Sequence, residues 1–199
     1  MHSRPILFSA PMVREILAGR KTQTRRIINP QFGVLHRIYP DGSILTNRIR
    51  EKGDDRIKCP YGQPGDQLWV RETWQAIKDN GIGFTLCPPS PGCEIRYRAT
   101  EEEEWCPPLP WLPSIFMPRF ASRITLEVTG IRVERLQRIS PADCDAEGIE
   151  CSACHTLDGA GCNARIADYR TIWESINGPA SWDANPYVWV VEFKMLIPI

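Results

Sequence analysis

The sequence predicts an α+β fold built on a small β-barrel with short peripheral helices and irregular insertions containing proline and cysteine. Three observations lead there. Residues 121–136 alternate apolar and polar side chains, with Ile124, Leu126 and Val128 in one phase and Ile131 and Val133 in the other. A slip of one residue at Thr129-Gly130 is what a β-bulge produces, and bulges bend strands round small barrels. Residues Tyr187 to Leu196 are almost continuously apolar, as expected of a central strand covered on both faces. The helical patterns are few and short.

Taken in order, the first element is a helix. Ser9 stands where a cap belongs, Pro11 falls in the first turn, and Met12, Ile16 and Leu17 form an apolar face. Gly19 ends it, and Arg20-Lys21 falls at the favourable C-terminal end. Thr22 to Ile28 reads as an irregular turn or short strand. Residues 29–66 read as loop and weak hairpin, with turns at Asp41-Gly42 and Pro64-Gly65-Asp66. Strands are predicted at Gln67–Trp74 and Glu94–Ala99. Prolines at 88, 89, 91, 107, 108, 110, 113 and 118 exclude long regular elements from the intervening chain, and Glu101 to Glu104 reads as solvated charge. Ser140-Pro141-Ala142-Asp143 starts a second helix that stops at Glu147-Gly148. A third spans roughly 163–176, with Ile166, Tyr169, Ile172, Trp173 and Ile176 on one face. At 199 residues, these elements fit one domain, 1–199, with insertions near 29–60, 75–118 and 150–163.

The formal charge is zero, but it is unevenly spread. Residues 1–58 carry 12 Lys/Arg against 5 Asp/Glu, and the rest carry 12 against 19. That balance excludes a general nucleic-acid coat and allows a local basic patch. No apolar run is long enough to span a membrane. Ile6-Leu7-Phe8 is too brief for a secretory leader, so a cytoplasmic location is expected. No obligate protein partner is evident. The eight cysteines are therefore expected to be thiols or metal ligands. Cys151, Cys154 and Cys162, with Cys144 or His155 as a fourth ligand, have the spacing of a small structural zinc knuckle. Only one Cys-x-x-Cys pair is present, and unliganded thiols are the other reading. Cys59, Cys87, Cys93 and Cys106 lack ligand spacing.

Two polar segments are hard to explain by folding alone. Arg20-Lys21-Thr22-Gln23-Thr24-Arg25-Arg26 packs four cations and two hydroxyls into seven residues, a crowding that calls for an anion or carboxylates. Asp143-Cys144-Asp145-Ala146-Glu147 puts three acids on one short helix. A Lys21–Glu147 salt bridge joining the two segments is the plain structural reading. The run from Ile16 to Arg26, the Gly65-Asp66 turn, the Ser140 to Gly148 helix and the Val190-Val191-Glu192-Phe193 strand resemble the ASCH domain, a PUA-like barrel family tied to RNA. The match keeps its order over nearly the whole chain, and the Leu17-Ala18-Gly19-Arg20-Lys21-Thr22-x-Thr24 stretch is its specific part.

In motif detail the chain is similar to small bacterial N4-acetylcytidine amidohydrolases, although it is about twice their length. By that resemblance Lys21 accepts a proton, Thr24 is the nucleophile and Glu147 the proton donor. Such chemistry needs no cofactor; structural zinc would be separate from it. A threonine needs a base, and a lysine serves as one only with a lowered pKa. Arg26 or a backbone N–H near Gly19 could stabilise an oxyanion. The implied partner is RNA or a nucleoside, with Arg20, Arg25 and Arg26 on phosphates and Trp69, Trp74 or Trp111 stacking on bases. A non-catalytic RNA-binding module and a ribonuclease are the alternatives.

Overall fold

The computed structural model of the chain describes residues 2–40, 42–46, 56–88, 90, 92–101, 109–150 and 164–196. The described residues form eleven strands and three α-helices. They are β1 (Ser3–Leu7), α1 (Ala10–Leu17), β2 (Gln23–Ile27), β3 (Leu35–Ile38), β4 (Ile44–Thr46), β5 (Arg56–Ile57), β6 (Gln67–Arg71), β7 (Trp74–Asp79), β8 (Phe84–Leu86), β9 (Glu94–Tyr97), β10 (Thr125–Arg135), α2 (Pro141–Ala146), α3 (Ala164–Asn177) and β11 (Tyr187–Leu196). The fold is α+β and dominated by sheet. No helix among the described residues is long and apolar enough to cross a membrane.

The main sheet has the order β1-β6-β10-β11-β2. β1 runs parallel to β6, and the other neighbours are antiparallel. No strand ladder joins β1 to β2 among the described residues. The Arg26 guanidinium reaches across, donating to the Leu7 carbonyl at 2.5 Å. The expected bulge is present: Val128 faces Phe193 and Gly130 faces Glu192, leaving Thr129 unpaired. β6 pairs with β10 only before this bulge, over Thr125 to Glu127, while β11 follows β10 along its whole length.

β11 is covered on both faces because its alternate residues enter two cores. Trp189, Val191 and Phe193 pack with Ile6, Val13, Ile16, Leu68, Val70 and Leu126 on the side of α1. Val188 and Val190 pack with Leu136, Cys144, Tyr169, Trp173 and Trp182 on the side of α2 and α3. A period of two with both phases apolar therefore sets the middle layer of the molecule.

The weak hairpin expected within 29–66 is present as the antiparallel pair β3-β4, and β5 extends it to a three-stranded sheet. Several other expectations are corrected. The chain after Trp74 forms the sheet β8-β7-β9, so residues 75–86 are not irregular. The strand predicted for 67–74 breaks after Arg71, and Trp74 begins β7. β1 was read only as a short apolar run, although it forms a parallel pair with β6. Cys87 and Cys93 are joined as a disulfide, against the expectation of thiols there. On α3 only Tyr169 and Trp173 are buried, with Ile172 and Ile176 at the surface. Asp41, Glu102 to Glu104, Cys106 and the prolines at 89, 91, 107 and 108 lie outside the described residues.

Gly148 ends α2 at φ +76°, a conformation that strains any L side chain. A Cβ there would also stand 2.8 Å from the Cβ of Glu15 and 3.0 Å from the Cβ of Lys21. At Gly130 the obstacle is instead Glu192 Oε2, the far end of a flexible side chain. Gly148→Ala is expected to cost about 1–3 kcal/mol, lowering Tm by roughly 2–12 °C for a domain of this size. Gly130→Ala is expected to cost less than about 1 kcal/mol. Thermal unfolding of both variants measures this, and equal losses would mean that close packing at Gly148 is unimportant.

Candidate active site

The segment after α1 is placed by backbone contacts. The Lys21 N–H donates to the Glu15 carbonyl at 3.0 Å, Thr22 N–H to Ala146 at 2.8 Å, and Phe193 N–H to Thr22 at 2.8 Å. The chain is thus pinned between the ends of α1 and α2 before it enters β2. α2 itself starts with a capping box, in which Ser140 Oγ accepts from the Asp143 N–H and the Asp143 side chain accepts from the Ser140 N–H.

This geometry brings Lys21 and Glu147 together, although 126 residues separate them. Lys21 Nζ donates to Glu147 Oε2 at 2.7 Å and to the Glu147 carbonyl at 2.9 Å. Lys21 is 2% exposed and Glu147 5%. Burial drives the Lys21 pKa below the ordinary lysine value despite the adjacent carboxylate, and the Arg26 and Arg25 charges push the same way. The other Glu147 oxygen accepts from Arg25 Nη1 at 3.2 Å.

Arg25 is the hub of the surrounding charges. It also pairs with Asp143 Oδ2 at 3.2 Å and Glu134 Oε2 at 3.4 Å. Arg132 continues the cluster through Asp143 Oδ1 and Glu134, both at 2.6 Å, and Glu192. Gln23 Nε2 donates to Asp143 Oδ1 at 3.1 Å. Burial alone would raise the Asp143 pKa. The Ser140 N–H and hydroxyl, Gln23 and Arg25 outweigh it and hold the carboxyl well below the usual range.

Beside this cluster lies a cleft of about 60 Å³ along β2. Thr24, Arg25, Arg26 and Ile27 form one wall, Met12 and Glu147 the ends, and Tyr169, Ile172, Trp173, Ile176 and Asn177 of α3 the other wall. The Thr24 hydroxyl makes no hydrogen bond among the described residues. Thr24 and Glu147 therefore share the cleft, and Lys21 stands behind Glu147 with no hydrogen bond to Thr24. Tyr169 is kept protonated, because burial and then the Glu147 charge raise its pKa well above the ordinary value.

The arginines do not form the expected phosphate-binding array. Arg25 is buried among carboxylates. Arg20 lies outside the cleft, paired with Glu15 at 2.6 Å and Glu150 at 3.5 Å. Arg26 lines the cleft but spends its Nη2 on Leu7 and lies over the Phe8 ring at 5.3 Å. Trp74 is 1% exposed inside a separate core with Met117 and Ala121, so it cannot stack on a base. Trp69 and Trp111 are partly exposed and lie away from the cleft lining.

Cys144 is buried in the apolar cluster of α2 and α3, where desolvation pushes its thiol up to about 12. Burial likewise raises Cys59 to about 11. Cys151, Cys154, His155 and Cys162 lie outside the described residues. Among the described residues no group of three potential metal ligands occurs.

Gln23, Arg132, Glu134, Asp143, Tyr169 and Trp173 were not singled out as site residues. One signal was available, the excess of acids on α2 opposite an excess of bases before β2. Comparison of the chain with protein-family models, curated proteins and solved structures finds no match in any of the three.

The Asp143 shift carries a pH signature. Its folded pKa lies below the unfolded value of about 3.9, so its stabilisation is fully present above that value and is lost as pH falls toward the folded pKa. The stability difference between the wild type and Asp143→Asn, from urea unfolding, should be constant from pH 5 to 7, to within about 0.5 kcal/mol, and shrink below pH 4. A difference that grows on acidification would contradict the arrangement described.

Proposed function

We propose that this chain is an ASCH-type, PUA-like protein that binds a modified nucleoside beside Thr24 and Glu147 and hydrolyses an N-acyl amide on its base, as in N4-acetylcytidine. One observation carries the reading. Thr24, whose hydroxyl makes no hydrogen bond among the described residues, lines the same cleft as Glu147, whose buried lysine partner is held below its ordinary pKa. The resemblance of residues 16–26 to the amidohydrolases supplies the substrate class. The shared core of β1, β6, β10 and β11, with Arg26 reaching from β2 to Leu7, supports the barrel part of the reading.

In this mechanism Thr24 Oγ attacks the acyl carbon. Its proton passes to the Lys21–Glu147 pair, and the pair delivers a proton to the leaving exocyclic amine. Water then cleaves the acyl-threonine ester, returning the free hydroxyl and a carboxylic acid. Burial lowers the Lys21 pKa, which eases the movement of its proton. The cleft volume suits a small acyl group and the edge of a ring, with the ribose outside. Amide chemistry is favoured over RNA cleavage because Arg20, Arg25 and Arg26 are already engaged and leave little charge for a phosphorane.

Purified protein is expected to release acetate from N4-acetylcytidine. Thr24→Val, which keeps the shape and removes the hydroxyl, should lower kcat by about three orders of magnitude or more with an unchanged circular dichroism spectrum. Wild-type turnover in Thr24→Val would remove the nucleophile. Absence of acetate release from the wild type would remove the reaction.

A further inference from the structure

The cleft beside Thr24 carries an excess of hydrogen-bond donors. Three of the residues that line it, Arg25, Arg26 and Trp173, each hold a buried side-chain N–H with no acceptor among the described residues: Arg25 Nε, Arg26 Nε and Trp173 Nε1. Tyr169 stands one turn before Trp173 on the α3 wall, and its hydroxyl has no hydrogen-bond partner among the described residues. The two residues are 5% and 4% exposed, so bulk water does not compensate these groups. Burial and the Glu147 charge keep the Tyr169 phenol protonated, hence a donor. Opposite them stands the Glu147 carboxylate, whose two oxygens already accept from Lys21 and Arg25. Leaving a buried donor unpaired costs the desolvation of that group, and such groups ordinarily have an acceptor.

Charge and shape narrow what acceptor suits the cleft. Lys21 and Arg25 are matched by Glu147, Asp143 and Glu134. Arg26 forms no ion pair among the described residues; its Nη2 donates to the neutral Leu7 carbonyl and its guanidinium lies over the Phe8 ring. One positive charge is therefore left to be balanced by one negative charge. The rest of the lining includes Ile27, Ile172 and Ile176, which are 39%, 38% and 56% exposed and give the cleft an apolar edge. A second anionic group would be dehydrated against those isoleucines without a partner. The occupant that satisfies the donors, the charge and a volume of about 60 Å³ is small, has two acceptor oxygens at one end and is apolar at the other.

We propose that this cleft binds a small aliphatic monocarboxylate of the acetate class, with its oxygens on the Tyr169 hydroxyl, Trp173 Nε1–H and Arg26 Nε–H. The donor excess stands without any reaction. Reading the carboxylate as the product of the Thr24 ester rests on the hydrolysis proposed above. In that case the same donors receive the amide carbonyl oxygen as it gains charge during attack.

The test is a titration of sodium acetate into the 15N-labelled protein at neutral pH, following the tryptophan indole N–H signals, with Trp173→Phe identifying that of Trp173. The Trp173 signal is expected to move downfield and saturate, with a Kd of about 1–10 mM for a ligand of so few atoms. Succinate should bind more weakly than acetate. Tyr169→Phe keeps the ring that packs on Trp173 and Trp182 and removes a hydroxyl that bonds nothing else among the described residues. Its Tm should match or exceed the wild-type value, while acetate binds about tenfold more weakly. The proposal is overturned if the Trp173 signal ignores acetate, if chloride moves it equally, or if Tyr169→Phe binds acetate as the wild type does. A lowered Tm with unchanged acetate affinity would assign the hydroxyl to the fold instead. A wild type that binds acetate in this way but releases none from N4-acetylcytidine would sink the hydrolysis and leave this site standing. Release of acetate without any response of Trp173 to acetate would do the reverse.

Discussion

Burying the Lys21 ammonium is the constraint around which the rest of this structure is arranged. An isolated charge of that kind costs several kcal/mol to dehydrate, and a single carboxylate repays that only with good geometry and further hydrogen bonds. Here the compensation is collective. Lys21, Arg25 and Arg132 stand against Glu147, Asp143 and Glu134, with contacts between 2.6 and 3.4 Å. Removing one member would leave its partners charged and dry. The cluster thus fixes the relation of β2 to α2 more strictly than apolar packing alone, which tolerates substitutions of similar volume.

Three features of the fold make that cluster possible. β11 is apolar in both phases, so it can carry a core on each side and still hold β2 at its flank. α2 is a turn and a half long and ends with a positive-φ glycine, which lets Lys21 and Glu15 approach to contact distance. α3 then closes the far side of the cleft. Its Tyr169 and Trp173 are buried, while Ile172 and Ile176, one before and three after Trp173, form an apolar rim. A site results in which Thr24 and Glu147 line a small cleft and the lysine paired with the carboxylate is buried.

Much of this was legible in the residues. The phase slip at Thr129-Gly130 marked the bulge, and the Ser140/Asp143 spacing marked the capping box. Four cations crowded before and within β2 implied nearby negative charge, which for Arg20, Lys21 and Arg25 proved to be protein carboxylates. Less could be read where strand alternation decides the outcome. Arg25 and Arg26 are neighbours that a strand turns to opposite sides, so one lies among carboxylates and the other at the seam with Leu7. Trp69 and Trp74 looked equivalent, but the break after Arg71 puts one on a sheet surface and the other in a core. The Lys21–Glu147 salt bridge was legible as the plain structural reading of the two charged segments, whereas the carboxylate partners of Arg25 depend on topology that no local pattern carries.

The central claim is that Lys21 is held dry against Glu147 with its proton weakened by burial. Heteronuclear NMR titration of the lysine side chains, with Lys21 assigned through Lys21→Arg, tests it most directly. The account predicts that Lys21 titrates below the exposed lysines, with Nζ protons slow to exchange with water. A Lys21 resonance that titrates with the others, near the ordinary value of about 10.4, would contradict it.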